Sequence, residues 1–249
     1  MLVNFIRPAR RLIAACSGPN AGFDHAAAQR YELSHARRAI EADFPKLLSR
    51  IDSASKSGSL WMSHDDQFFA GDQALFDAVV ERARDRRCLE VGCGPFGYLA
   101  PCRWLKERVF IDPLIDEYRS AQLRVTGHTL FTPDVETHAC SAETPIPTLF
   151  NAVDGLIVCR NAIDHCEDPF SVLANISAYA APGCYFLFWT DIWHLDGPDA
   201  GHRNITKSAA FMDMAIHGLG FRILRPSDLV RPPGECIEYG CVAVKSPAK

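Results

Sequence analysis

The sequence predicts an α/β fold built on a mainly parallel sheet, and three observations carry that prediction. From Arg87 onward, short apolar runs alternate with stretches of helical period, the pattern of βαβ units. The first run, Cys88 to Val91, leads straight into a turn containing Gly92, Gly94 and Gly97. Hydrophobic residues make up 48% of the chain and charged residues 22%, proportions of a globular protein that exclude a disordered or fibrous one. With 249 residues, the chain has room for one domain and an appendage.

Residues 1–25 carry Pro8, Gly18, Pro19 and Gly22 without a sustained period and read as an arm. Helical period begins at His25. Ala36, Ile40 and Phe44 recur every four residues, and Leu47, Leu48 and Ile51 continue the face after Pro45, which is expected to open a second helix at its first turn. Beyond a polar break at residues 53–59, Leu75, Phe76, Val79, Val80 and Ala83 mark a third helical stripe. Strands are expected over residues 88–91, 109–112, 136–140, 155–159, 185–189, 221–224 and 237–244. The last two are separated by a loop with Pro226, Pro232 and Pro233 and not by a helix, so they are expected to pair antiparallel at a sheet edge. The chain thus divides into an arm with a helical lid, residues 1–72, and an α/β domain, residues 73–249.

Charge narrows the partners. Lys and Arg number 26 against 30 Asp and Glu, for a net charge of −4. Residues 1–87 hold 13 basic and 11 acidic groups, and residues 88–249 hold 13 and 19, so the α/β half would repel a polyanion and no nucleic-acid partner is expected. No run approaches the ~18 apolar residues of a membrane span. Ten cysteines occur without a CxxC pair, which fits reduced thiols better than a disulfide framework or a zinc site. Leu12 to Cys16 resembles a lipoprotein cleavage site, but the four apolar residues after Arg11 are too few for an apolar signal core. A cytoplasmic protein is expected. A homodimer stays open.

The chemistry concentrates after the first strand. Gly92, Gly94 and Gly97 satisfy GxGxxG, which fits nicotinamide and S-adenosylmethionine sites alike, with the ligand expected near the start of a following helix. Glu90 discriminates, because a carboxylate two residues before the first glycine would repel a pyrophosphate but attract the amino group and sulfonium of S-adenosylmethionine. Asp112, 22 residues later, can accept hydrogen bonds from both ribose hydroxyls. After the third strand, Ala142 is small enough for adenine to pack on and Glu143 can reach its amino group. Cys93 lies inside the glycine turn, and Arg160 and Asn161 form the polar tip of the fourth strand.

Taken in order, Cys88 to Gly97, Asp112, Ser141 to Glu143 and Asp154 to Pro169 resemble a class I S-adenosylmethionine-dependent methyltransferase of the small-molecule branch. Ala181-Pro-Gly183 stands where many relatives have KPGG. The third glycine, Gly97, falls one position late. The resemblance covers about Gln73 to Lys245 and leaves the first 70 residues unmatched. It implies a Rossmann-like seven-stranded sheet in the order 3-2-1-4-5-7-6 with strand seven antiparallel, S-adenosylmethionine as cofactor and a small-molecule acceptor. A non-catalytic cofactor-binding subunit is the alternative, with an NAD-dependent oxidoreductase behind it.

His165 follows strand four, where the cofactor's methyl group would face the acceptor, and can take a proton from an acceptor hydroxyl; the rival reading is a capping or packing histidine. His194 is the second catalytic candidate. Asp164, Asp191, His202, Trp193 and Trp61 are candidates for acceptor binding: Asp191, Trp193 and His202 lie in the long segment Trp189 to Asn204 expected to loop out after strand five, and Trp193 and Trp61 can pack on a planar acceptor. The spacing of Asp191, His194, Asp196, Asp199 and His202 matches no established metal site, so no metal is expected.

Overall fold

A computed structural model describes residues 24–57, 68–69, 71–194, 201–226 and 236–247. Its helices are α1 (His25–Ser57), α2 (Gln73–Arg84), α3 (Ile115–Thr126), α4 (Pro169–Tyr179) and α5 (Ala209–Gly218). The strands are β1 (Arg87–Val91), β2 (Glu107–Ile111), β3 (Glu136–His138), β4 (Leu156–Arg160), β5 (Tyr185–His194), β6 (Phe221–Pro226) and β7 (Cys236–Lys245). They form one seven-stranded sheet in the order β3-β2-β1-β4-β5-β7-β6. β7 runs antiparallel to both β5 and β6, and the other neighbours are parallel.

The central strands are apolar on both faces, as expected where helices cover both sides of a parallel sheet. Phe110, Leu156, Val158, Leu187 and Val242 face α1, α2 and α3 through Phe44, Val79 and Ile115. Leu89, Val109, Ile157, Phe186 and Phe188 face α4 and α5 through Leu173, Ile176, Met212 and Ile216. Cys88, Cys159 and Cys241 lie within strands as buried side chains, and the nine described cysteines are free thiols. At the N-terminal edge of the sheet, Arg82 of α2 donates to Asp154 O at 2.8 Å and Arg86 pairs with the Asp154 carboxylate at 2.6 Å.

Three local expectations are corrected. Pro45 does not begin a helix but lies inside α1. The hydrogen bond it removes, a cost of about 3 kcal/mol in a helix interior, is offset because Ile40 and Phe44 before it and Ile51 after it all bury on the same core. No helix follows the glycine turn either; residues 92–106 form a chain of turns. Pro95 and Pro101, with Gly92, Gly94 and Gly97 all at positive φ, leave no stretch able to hold a helical ladder. Finally, the segment expected to loop out after strand five continues as strand to His194, because Cys236 to Tyr239 of β7 pairs with Thr190 to His194 across a bulge.

Candidate functional site

The sheet order reverses between β1 and β4, and the ends of these strands form the crevice where open α/β sheets bind ligands. Gly92 leaves β1 at φ +66°, and a Cβ there would stand 2.2 Å from the Ala162 Cβ. The turn therefore lies directly against the chain leaving β4. Gly94, at φ +57°, has no atom within 4 Å of where its Cβ would be, so the front of the turn is open to a ligand. Gly97 is turned inward, its Cβ position 2.8 Å from the Ala100 Cβ and 3.3 Å from Glu90 Oε2.

Both acidic residues of the motif are buried and already at work. Glu90 accepts from the Tyr98 and Leu99 amides at 2.5 and 2.7 Å, clasping the turn that replaces the helix. Asp112 accepts from the Gly94 amide and the Leu114 amide at 2.9 Å each. Burial pushes the Glu90 carboxyl up to about 7 against those amides and the Arg160 charge. Burial likewise raises Asp112 to about 6, with Glu32 and Glu117 adding to the rise. Cys93 packs beneath, its thiol pushed up by burial and by the Asp112 and Glu90 charges.

Asn161, at the tip of β4, holds φ +48° and donates its amide to Trp189 O at 2.7 Å. Its Oδ1 is buried without a hydrogen-bond partner among the described residues. Such an acceptor costs about 1–3 kcal/mol when left unmet, and the tip of β4 packs on Gly92. Residues 141–143 form the next wall. Asn175 donates to both Ala142 O and Glu143 O at 2.9 Å, and Glu143 accepts from the Asp168 amide at 2.7 Å. The Glu143 carboxylate is thus tied to the start of α4.

A second cluster lies at the ends of β4 and β5. Asp164 is fully buried in a 3-10 turn, Ile163–His165. Its Oδ1 accepts from the Thr190 hydroxyl at 3.0 Å. Its Oδ2 faces the Nε2 atoms of His165, His194 and His202 at 3.8, 3.8 and 4.0 Å. Burial alone would raise the Asp164 carboxyl, but the His194 ring and the His165 and His202 charges hold it below the usual range. Sequence spacing does not show this set, because His202 is brought back by Arg203, whose amide donates to Asp164 O at 2.9 Å.

Asp191 is buried in β5 and accepts from the Cys236 thiol at 3.2 Å. Trp193 carries the Lys207 ammonium 4.4 Å above its ring. Trp61, Asp196 and Asp199 lie outside the described residues.

Sequence reasoning missed Glu32 and Thr190. Glu32 Oε1 on α1 reaches within 3.5 Å of His165 Nδ1. Its signal was present, since it interrupts the four-residue stripe that buries Ala28, Ala36, Ile40 and Phe44. Farther along α1, Phe44 stacks on Phe96 of the glycine turn with ring centroids 6.3 Å apart.

No protein-family profile and no curated protein sequence matches the chain. Solved structures do. The [4+2]-cyclase SpnF superposes with a TM-score of 0.57 at 15% identity, over 94% of this chain and all of its own. A provisional sarcosine dimethylglycine methyltransferase from Galdieria sulphuraria gives 0.55 at 12% identity, over 74% of this chain and 86% of that one. A provisional S-adenosylmethionine-dependent methyltransferase from Listeria monocytogenes gives 0.52 at 14% identity, over 72% and 99%. With its sheet order and crossing pattern, the chain has the fold of the class I S-adenosylmethionine-dependent methyltransferases.

Proposed function

We propose that the chain is an S-adenosylmethionine-dependent methyltransferase that methylates a small-molecule acceptor at oxygen. The observation that carries this reading is the open glycine turn between two buried carboxylates, Glu90 and Asp112, both of which burial makes costly as anions. A cation in front of the turn relieves that cost, and a pyrophosphate does not.

The residues present fit the cofactor. The buried, unmet Oδ1 of Asn161 suits its amino group. Asp112 retains lone pairs for the ribose hydroxyls after accepting from Gly94 and Leu114. Ala142, pinned through Asn175, offers the flat wall for adenine. Glu90, Cys93 and Gly97 act one layer behind, holding the turn in shape. When bound, S-adenosylmethionine supplies a methyl group already activated by its sulfonium.

The acceptor end is the Asp164 cluster. His165, with Nδ1 2.7 Å from Gly201 O, presents Nε2 toward Asp164, and His194 and His202 complete a basic wall suited to drawing a proton from a hydroxyl. Helix α1 brings Glu32 to this wall, and we take α1 as the lid that excludes water from the transfer. No helix among the described residues is long and apolar enough to cross a membrane, and the free thiols support a cytoplasmic setting.

The test is to incubate the protein with methyl-labelled S-adenosylmethionine and the low-molecular-weight fraction of a cell extract, then find the label by mass spectrometry. Label in a methyl ether or ester is expected. Label confined to protein or nucleic acid, in parallel incubations that include them, would overturn the acceptor class.

A further inference from the structure

We propose that Asp164, His165 and His202 bind a divalent first-row transition-metal ion at the acceptor end of the crevice, with His194 beside them on Asp164. The ligand atoms of Asp164, His165 and His202 lie within 4.8 Å of one another, and those of Asp164, Asp191 and His194 do as well. The two sets share Asp164, whose Oδ2 the three imidazoles face.

Two independent features support a cation there. Asp164 is fully buried, and its Oδ2 has no hydrogen-bond partner among the described residues, while Thr190 serves Oδ1. An anionic oxygen so placed is costly unless a cation meets it. His165 is held from behind. Its Nδ1 stands 2.7 Å from Gly201 O, and since a carbonyl can only accept, Nδ1 carries the proton. In a neutral ring this leaves Nε2 a bare lone pair, pointed at a carboxylate oxygen 3.8 Å away. With the ring neutral, two acceptors face one another, an arrangement that a metal between them makes favourable. A backbone carbonyl behind the ring is also the usual outer partner that orients a metal-binding histidine.

The dimensions fit. Metal–nitrogen and metal–oxygen distances near 2.0–2.2 Å place tetrahedral ligand atoms about 3.3 Å apart. The Asp–His separations of 3.8 and 4.0 Å, in a set whose ligand atoms all lie within 4.8 Å of one another, close toward this by rotation of the imidazole side chains. Imidazole-rich donors with one carboxylate select Zn²⁺, Fe²⁺, Co²⁺ or Mn²⁺ over Mg²⁺, which prefers an oxygen shell. The ion stands on this geometry alone. That its remaining position takes an acceptor oxygen rests on the methyltransferase reading.

The test reads the ion directly. The full chain, stripped with chelator, is titrated with Co²⁺ and Zn²⁺ by calorimetry and visible absorption, with Mg²⁺ as comparison. One equivalent of Co²⁺ or Zn²⁺ per chain is expected, with Co²⁺ ligand-field bands showing nitrogen donors and no measurable heat from Mg²⁺. His202→Gln and His165→Gln, both at partly exposed positions, are each expected to weaken binding by more than the ~10–100-fold that loss of an outer-shell partner costs, with circular dichroism confirming that each variant folds. Asp164→Asn serves as a third variant where it folds. Absence of a bound ion would overturn the proposal and leave a cluster of proton-sharing histidines. Binding unchanged in both histidine variants, or a preference for Mg²⁺, would overturn it as well. S-adenosylhomocysteine binding measured on the same samples separates this result from the methyltransferase reading.

Discussion

Replacing Gly94 by alanine separates the ligand-facing part of the glycine turn from the part that holds the fold. At φ +57° an alanine is strained by about 1–2 kcal/mol, but no atom lies within 4 Å of the new Cβ. The expected cost is that strain alone, a fall in Tm of about 2–8 °C for a chain of this size. The new methyl group enters the space in front of the turn. S-adenosylhomocysteine binding is therefore expected to weaken at least tenfold, or about 1.4 kcal/mol. Gly92→Ala is the control, since it adds a Cβ 2.2 Å from the Ala162 Cβ to similar backbone strain. Overpacking contributes about 1–3 kcal/mol more, so this variant melts well below Gly94→Ala. Calorimetric melting and isothermal titration with S-adenosylhomocysteine on both variants read these effects. Wild-type affinity in Gly94→Ala, or equal melting of the two, would refute the assignment of the turn's open face.

Three further outcomes follow from the same geometry. Glu90, raised from 4.5 to about 7, and Asp112, raised from 3.8 to about 6, hold more protons folded than unfolded, so their contribution to stability declines as pH rises through those windows. A sulfonium favours the ionised forms; the affinity of S-adenosylmethionine relative to its neutral-sulfur homocysteine product is expected to grow between pH 5 and 7.5 by up to about tenfold, and a flat ratio would contradict it. Asn161→Gly removes the unmet Oδ1 and tolerates φ +48°, so Tm should hold or rise while S-adenosylhomocysteine affinity falls; unchanged affinity would take Asn161 out of the site. Phe44→Ala empties a fully buried position against Phe96 and is expected to cost about 3–5 kcal/mol in urea denaturation, whereas a loss under about 1 kcal/mol would mean that α1 is not part of the core.

The strands were legible because the two faces of a covered parallel sheet leave continuous apolar runs, such as Leu156 to Cys159. The glycine turn was legible for its fixed spacing. What local pattern could not show was tertiary support. A proline that opens helices elsewhere stays within α1 because Phe44 and Ile51 share one core. The missing helix after the turn is replaced by a carboxylate, Glu90, acting as cap for Tyr98 and Leu99. The strand through Trp193 and His194 depends on β7, more than forty residues on, supplying its partner. Most consequential is the ring of histidines around Asp164, spread over residues 164–202. Their convergence depends on the hydrogen bonds of Arg203 and Asn204, the latter accepting from the His194 amide at 2.6 Å, and no spacing rule encodes those.

The central claim is that S-adenosylmethionine binds across the ends of β1, β2 and β4. A crystal structure grown with S-adenosylhomocysteine tests it most directly. The amino group is expected on Asn161 Oδ1, the ribose hydroxyls on Asp112 and adenine against Ala142. A ligand bound elsewhere, or a crevice that takes NAD and leaves S-adenosylhomocysteine unbound, would contradict it.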